Sequence, residues 1–548
     1  MRPTDDELRA ALRTQAERFE RYRQGTMTDA EFRPLRVSYG LYYELEHTSY
    51  LQRIKLPGGV LTVAQADELA DLADEYARGR IHFTTRQNVQ LHWVGLDKVM
   101  EIYERLHAVG ITTRGAAGDS VRNVTMCAHA GIWPAELFDV TPYAHATHDH
   151  FLFHPLNLTL PRKFKIAFSS CPQDCAQARI NDIGFFPYVQ AGRRGFSVYA
   201  AGGLGPQPFL AQLIREFVPV EDTLIIVEAI LHLWSERGER KNRKRARMKY
   251  LFQRLGAERF VAAMDELSAK IEAAQGPELR AELTDLVEGF KESAPHQPPS
   301  PLPQSGDTHF SHWLRTNAFA QRQEGYYAGT ILLPLGEISG AQLRGVANLA
   351  RRFGAGGLRA SNDQNLMVSW IPGARVEEFY RGLCALDLGS ADALHITDVV
   401  SCPGADYCSL AISRSMAVAG AIQEQLRAAD SVDGLGLFRI KASGCPNSCG
   451  QHHIGDIGLT GLSVKGADGQ PHPHYSMLLG GAVGETTAAI GKRVPGRFRE
   501  EDVPQAVAAL AAYFQRERRA GEDFSAFVQR IGLNQLTRVA RQPVSVAH

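Results

Sequence analysis

The chain has 548 residues, 44% of them hydrophobic and 22% charged, which is long enough for several domains with cores of their own. Its 60 Lys and Arg are balanced by 60 Asp and Glu, so bulk charge gives no reason to expect nucleic acid or an anionic membrane as partner. No apolar run is long enough to span a bilayer, the charged start lacks the core of a secretory leader, and the 8 cysteines are too few for a disulfide scaffold, so a cytoplasmic protein is expected.

Residues 1–45 read as a segment that wraps over the units that follow. After it the chain repeats itself once. Arg53-Ile-Lys-Leu-Pro57 returns as Thr330-Ile-Leu-Leu-Pro334, and Thr62-Val-Ala-Gln65 as Ser339-Gly-Ala-Gln342, both 277 residues apart. The second pair are capping boxes, in which hydroxyl and amide satisfy free N–H groups at a helix start. Each opens an amphipathic stretch, Leu69, Leu72, Ala73 and Tyr76 in one half and Val346, Leu349, Ala350 and Phe353 in the other. Gly79 and Gly356 suit the helix ends. Gln87-Asn88-Val89 and Gln364-Asn365-Leu366 follow, within segments rich in β-formers.

Further on, Cys127 matches Cys402, Cys171-Pro-Gln-Asp-Cys175 matches Cys445-Pro-Asn-Ser-Cys449, and Asn181-Asp-Ile-Gly184 matches Gly455-Asp-Ile-Gly458. A Pro-rich stretch, Ala294 to Asp307, separates the halves and reads as a linker. The order of these matches predicts a duplicated unit with pseudo-twofold symmetry.

Four cysteines form two tight groups. Five residues separate Cys402 from Cys408 and three separate Cys445 from Cys449. Four thiolates on two loops can hold a [4Fe–4S] cube or a structural zinc, and the five-residue gap, wide for a zinc knuckle, favours the cube. His452 and His453 could complete a zinc site with Cys445 and Cys449, but that leaves Cys402 and Cys408 unexplained.

The paired signature Cys402-Pro-x4-Cys408 and Cys445-Pro-Asn-x-Cys449, with the duplication, resembles the sirohaem-dependent nitrite and sulfite reductase family over roughly residues 35–540. The resemblance implies an α+β chain of ferredoxin-like half-domains and two reductase domains of mixed α/β structure. The units expected are 46–115 (first half-domain), 116–290 (first reductase domain, with a degenerate cluster site), 291–312 (linker), 313–390 (second half-domain) and 391–548 (second reductase domain). It implies a [4Fe–4S] cluster on Cys402, Cys408, Cys445 and Cys449, with Cys449 bridging to the sirohaem iron. Arg162, Asn447 and Gln90 are implied as further sirohaem contacts; His92 could face the macrocycle or pack in the core.

Substrate and sirohaem are both polyanions, so fixed cations are required. The resemblance assigns Arg86, Arg122, Lys163 and Lys165 to the substrate anion, and strand alternation places both lysines on one face. Asp363 stands at the repeat position of Arg86, so one active centre is expected, with cations from the first half and the cluster from the second. Similar nitrite reductases carry Lys-x-Asn where this chain reads Lys163-Phe-Lys165. The resemblance therefore implies an assimilatory sulfite reductase performing six-electron reduction to sulfide, with a ferredoxin-dependent nitrite reductase as the alternative reading. A zinc-stabilised binding protein would be colourless, unlike a sirohaem enzyme. No NAD or flavin motif stands out, so a ferredoxin or flavoprotein must donate electrons.

The first half keeps Cys127, Cys171 and Cys175 but has Trp133 in place of the fourth thiol. Three thiolates are too few for a cube, so a metal-free vestige is expected. His145, His148, His150 and His154, without a matching acid nearby, are expected to be surface or core residues. The basic run Arg237 to Lys249 is expected to be a solvated helix face or a donor-docking patch. Asp119, Ser120 and Val121 occupy the place where some relatives carry a cysteine crosslinked to a tyrosine, so Tyr50 should stay uncrosslinked.

Overall fold

The computed structural model describes residues 3–45, 47–290, 295, 297–428, 434–466 and 468–541. Residues 1–2 of the expected wrapping segment, 46, 291–294 and 296 at the start of the expected linker, and 542–548 at the end of the last expected unit lie outside the described residues.

The two ferredoxin-like sheets are built by exchange. In the first, antiparallel strands run in the order Leu41–Tyr43, Tyr50–Lys55, Asn88–Val94, Arg80–Phe83 and Glu337–Ser339. In the second the order is Ala318–Ala320, Tyr326–Ile331, Leu366–Pro372, Gly357–Ala360 and Val60–Thr62. The last strand of each sheet comes from the other half, with Ile338 opposite Ile81 and Leu61 opposite Leu358. Leu41–Tyr43 holds the same edge as Ala318–Ala320, so the repeat begins earlier than the sequence matches show.

Each exchanged strand runs directly into a helix, Val63–Tyr76 or Gly340–Phe353, and both capping boxes are formed. Gly79 and Gly356, with φ of +70° and +72°, turn back onto the carbonyls of Ala73 and Ala350. This left-handed conformation is the one glycine adopts without Cβ strain. Leu69, Leu72 and Ala73 share one core with Val346, Ala350 and Phe353. Each buried Leu or Phe contributes roughly 1.5–3 kcal/mol of transfer free energy, so this shared core fastens the halves to each other.

The N-terminal helices Asp5–Arg23 and Asp29–Ser38 pack on the first half-domain, with Phe19 edge-on to Phe32 and Tyr103.

Each reductase domain is built on a mixed sheet. In the first, Thr125–Met126, Ile166–Phe168 and Ile183–Gln190 run parallel, and Arg193–Ala200 and Gln212–Pro219 continue antiparallel. Val400–Ser401, Ile440–Ser443, Ile457–Lys465 and Pro471–Leu479 repeat that arrangement. Parallel neighbours leave chain ends side by side, and the cysteine loops leave from those ends.

Two of the histidines belong to a buried ionic cluster whose acid comes from the distant helix Thr223–Arg237. Glu228 lies 2.7 Å from His150 Nε2, 3.1 Å from His154 Nε2 and 3.4 Å from His232 Nε2. Burial alone would raise the Glu228 carboxyl, but the contacts from His150, His154 and His232 outweigh it and hold it far below the ordinary range. The Glu228 contact raises His232 above its ordinary value.

A depressed carboxyl stabilises above its unfolded pKa and a raised imidazole below its own, so the cluster contributes most between about pH 4.5 and 6.5. Glu228→Gln should cost about 3 kcal/mol in that window. The gap to wild type should narrow as pH rises past His232. Denaturant titrations near pH 5.5 and 8.5 check this, and a gap that widened with pH would contradict it.

Candidate functional site

The cluster loops leave neighbouring parallel strands. Cys402 follows Val400–Ser401 and Cys445 follows Ile440–Ser443, with the Cys402 N–H donating to Ala442 O (3.2 Å). Gly450 lies so close to the Ala442 carbonyl that any Cβ there would collide with it, which brings Cys449 back beside Cys445. Cys402 and Cys445 are buried, Cys408 is half-buried and Cys449 is exposed. Burial, and then the charge of Cys449, pushes the Cys402 thiol up to about 12; burial and Cys449 also raise Cys408 and Cys445. The four thiols therefore share one electrostatic neighbourhood, costly for anions until metal neutralises them. Among the described residues they do not close into a group with all donor atoms within 4.8 Å, which suits a cube with iron and sulfide inside it better than a single ion. His452 and His453 turn into the core, with His453 Nδ1 3.0 Å from Ser448 Oγ.

The first half delivers its cations to the same place. Arg86 sits in the tight turn Thr84–Asn88, whose Thr85 Oγ1 donates to Cys449 O (2.8 Å), while Gln451 Nε2 donates to Thr85 O (3.2 Å). Arg86 donates to Asn181 Oδ1 and Asn123 O (both 2.6 Å), and its buried Nε has no partner. Arg122 donates to Gly118 O (2.8 Å). Phe164 is fully buried and stacks on Trp234, so pleat alternation sends Lys163 and Lys165 together to the opposite side.

Burial, then Arg247 and Arg122, pushes Lys163 down to about 7. Burial, Arg86, Lys163 and Arg247 push Lys165 well below the usual lysine range. Burial and Arg122 lower Arg86 to about 9, and burial lowers Arg122 to about 10. The nearest carboxylates are already engaged, Asp182 by Arg247 (2.9 Å) and Asp119 by Arg243 (2.9 Å). Excess positive charge beside Cys449, with an unpartnered arginine Nε, fits a polyanionic macrocycle and an oxyanion. In the second half Asp363 pairs with buried Lys441 at 2.8 Å, so the equivalent position neutralises itself.

Among the other expected residues, Arg162 is partly exposed, 3.7 Å from Asp119, and Asn447 lies on the exposed turn after Cys445. Gln90 is buried, its side-chain amide against the Arg53 guanidinium. His92 bonds Glu44 at 2.7 Å and packs on Tyr407.

Sequence reasoning missed Arg53 and Arg247. Arg53 had a signal, because its repeat partner is Thr330, the same loss of charge that separates Arg86 from Asp363. Arg247 lay inside the basic run, which is not a solvated helix face. Between the helix ending at Arg237 and the one starting at Met248 it is a loop with one short turn, and only part of it faces solvent. Arg240 donates to Ser235 O and Thr159 O, Arg247 to Asp182, and buried Lys249 to the carbonyls of Gly203 and Leu204. Those inward carbonyl and carboxylate partners compensate the cost of burying charge.

Residues 117–271 and 394–547 match the nitrite and sulphite reductase 4Fe-4S domain, and residues 43–109 and 319–386 match the nitrite/sulfite reductase ferredoxin-like half domain. The chain belongs to the nitrite/sulfite reductase family, oxidoreductases that use sirohaem and a [4Fe–4S] cluster. It is similar to the ferredoxin–nitrite reductase of Synechococcus elongatus, 31% identical over 84% of this chain and 85% of that one. It is also similar to sulfite reductase [ferredoxin] 2 of Mycolicibacterium paratuberculosis, 27% identical over 89% and 83%. The structure of the Mycobacterium tuberculosis NirA protein superposes with a TM-score of 0.79 at 25% identity, covering 97% of both chains. Among the described residues no helix is long and apolar enough to cross a membrane.

Proposed function

We propose that this chain is an assimilatory-type sulfite reductase drawing electrons from a ferredoxin, the donor for which both relatives above are named. The observation that carries the reading is the convergence of Lys163 and Lys165 with Arg86 and Arg122 beside Cys449. Cys402, Cys408, Cys445 and Cys449 would hold the cluster, Cys449 its bridge to the sirohaem, and Arg162, Asn447 and Gln90 would support the macrocycle. When bound, these groups supply the reducing electrons and the metal at which the anion is reduced.

The protein's own part is electrostatic and acid–base. Arg86 and Arg122 present forked donors that hold and polarise oxyanion oxygens. Lys163 and Lys165, kept ready to release protons by burial and like charge, donate to oxygens that leave as water. Sulfite brings more charge and more oxygen than nitrite, so a second lysine serves it better.

The name of the 31%-identical relative, a ferredoxin–nitrite reductase, favours nitrite as the second reading. Steady-state turnover of the purified, iron-replete holoprotein with reduced ferredoxin decides between them. We expect kcat/KM for sulfite to exceed that for nitrite by about tenfold or more; a ratio of one or below overturns the proposal.

A further inference from the structure

The pseudo-twofold counterpart of the cluster site keeps three of its cysteines. Cys127 leaves strand Thr125–Met126, and Cys171 to Cys175 leave the neighbouring strand Ile166–Phe168, as Cys402 and Cys445 do in the other half. The structure adds a residue that the repeat does not pair with any ligand. The donor atoms of Cys127, His129 and Cys175 lie within 4.8 Å of one another. Cys171 is within hydrogen-bonding reach of Cys175. His129 occupies the place of Gly404 in the second half, and Trp133 the place of Cys408. The Trp133 indole stacks on the His129 ring (5.4 Å between centroids, 23° between planes), so the residue that removed one thiolate also orients an imidazole.

Three sulfurs and one imidazole nitrogen form the donor set of a closed tetrahedral zinc site. With Zn–S of about 2.3 Å and Zn–N of about 2.0 Å, tetrahedral donors stand about 3.5–3.8 Å apart. Cys127, His129 and Cys175 lie within 4.8 Å of one another, a spacing that a single ion can draw in with small adjustments, and Cys171 reaches the group through Cys175.

We propose that Cys127, His129, Cys171 and Cys175 bind a structural zinc ion. It would brace the loop that receives the second half: Glu485 N–H donates to Pro172 O (2.8 Å), Asn362 Nδ2 to Ala176 O (3.1 Å) and Gln177 Nε2 to Asp363 Oδ1 (3.4 Å). The ion serves the seam between halves and takes no part in turnover.

The test is metal analysis of chelator-washed holoprotein together with zinc-edge X-ray absorption. About one zinc per chain is expected, bound by three sulfurs and one nitrogen. His129→Ala and Cys175→Ser should each lower zinc occupancy by about fivefold or more while iron per chain stays unchanged. Wild-type protein without stoichiometric zinc, zinc retained in both variants, or a Cys171–Cys175 disulfide found by mass spectrometry would overturn the proposal. If neither variant folds, the wild-type metal count and absorption edge decide.

Discussion

Replacing Cys449 by serine is expected to lower turnover of either anion by about a thousandfold or more, equivalent to about 4 kcal/mol of barrier. The size follows from where the thiol sits. Cys449 is exposed while Cys402 and Cys445 are buried, and it is held against the Arg86 turn by Thr85. It is therefore the thiol that faces the cationic side, and a serine hydroxyl is a harder, poorer ligand for iron than a thiolate. Iron per chain should fall and the visible spectrum should change. Because the side chain lies outside the core, far-UV circular dichroism should stay as in wild type. Cys402→Ser makes a useful contrast. Its sulfur is enclosed, accepting from Gly444 N–H at 3.3 Å beside Ser415 Oγ, so that change should also lower the melting temperature. A Cys449→Ser protein turning over within tenfold of wild type would remove Cys449 from the centre.

The duplication, the capping boxes and the two cysteine pairs were legible because each leaves a local mark: a spacing, a hydroxyl three residues before an amide, a period of 3.6. The exchange of strands was not. Val60–Thr62 and Glu337–Ser339 are three residues each, too short to show alternation, and their partners lie in the opposite half. The Gln-Asn pairs were visible as a repeat but not as a device. Gln87 brackets the strand before Cys127, accepting from Met126 N–H and donating to Met126 O, and Gln364 accepts from Ser401 N–H just before Cys402. Each ferredoxin-like unit thus grips the base of one cysteine loop. The core role expected for the histidines was legible, but their acid was not, because Glu228 lies 78 residues from His150. The proposed role of His129 was invisible for a related reason: the repeat pairs it with a glycine, so comparing the halves could not mark it as a candidate ligand.

On the proposed reading, the choice of anion turns on one side chain. Lys165→Asn should reduce kcat/KM for sulfite by about a hundredfold, near 2.7 kcal/mol, the scale of a charge-assisted contact made in a desolvated pocket. For nitrite the loss should be about tenfold or less. The asymmetry follows from the charges around position 165. Burial, Arg86, Lys163 and Arg247 all work against a proton on Lys165, so its positive charge is costly until an anion arrives. A more highly charged anion recovers more of that cost, and one with more oxygens to lose needs the proton more often. Asparagine keeps a donor in place but carries neither charge nor proton. Lys163 remains in the variant, so binding should weaken without vanishing, and the iron content should not change. Equal losses for both anions would mean that Lys165 only shapes the pocket, and the preference for sulfite would then have to rest on groups other than this second lysine.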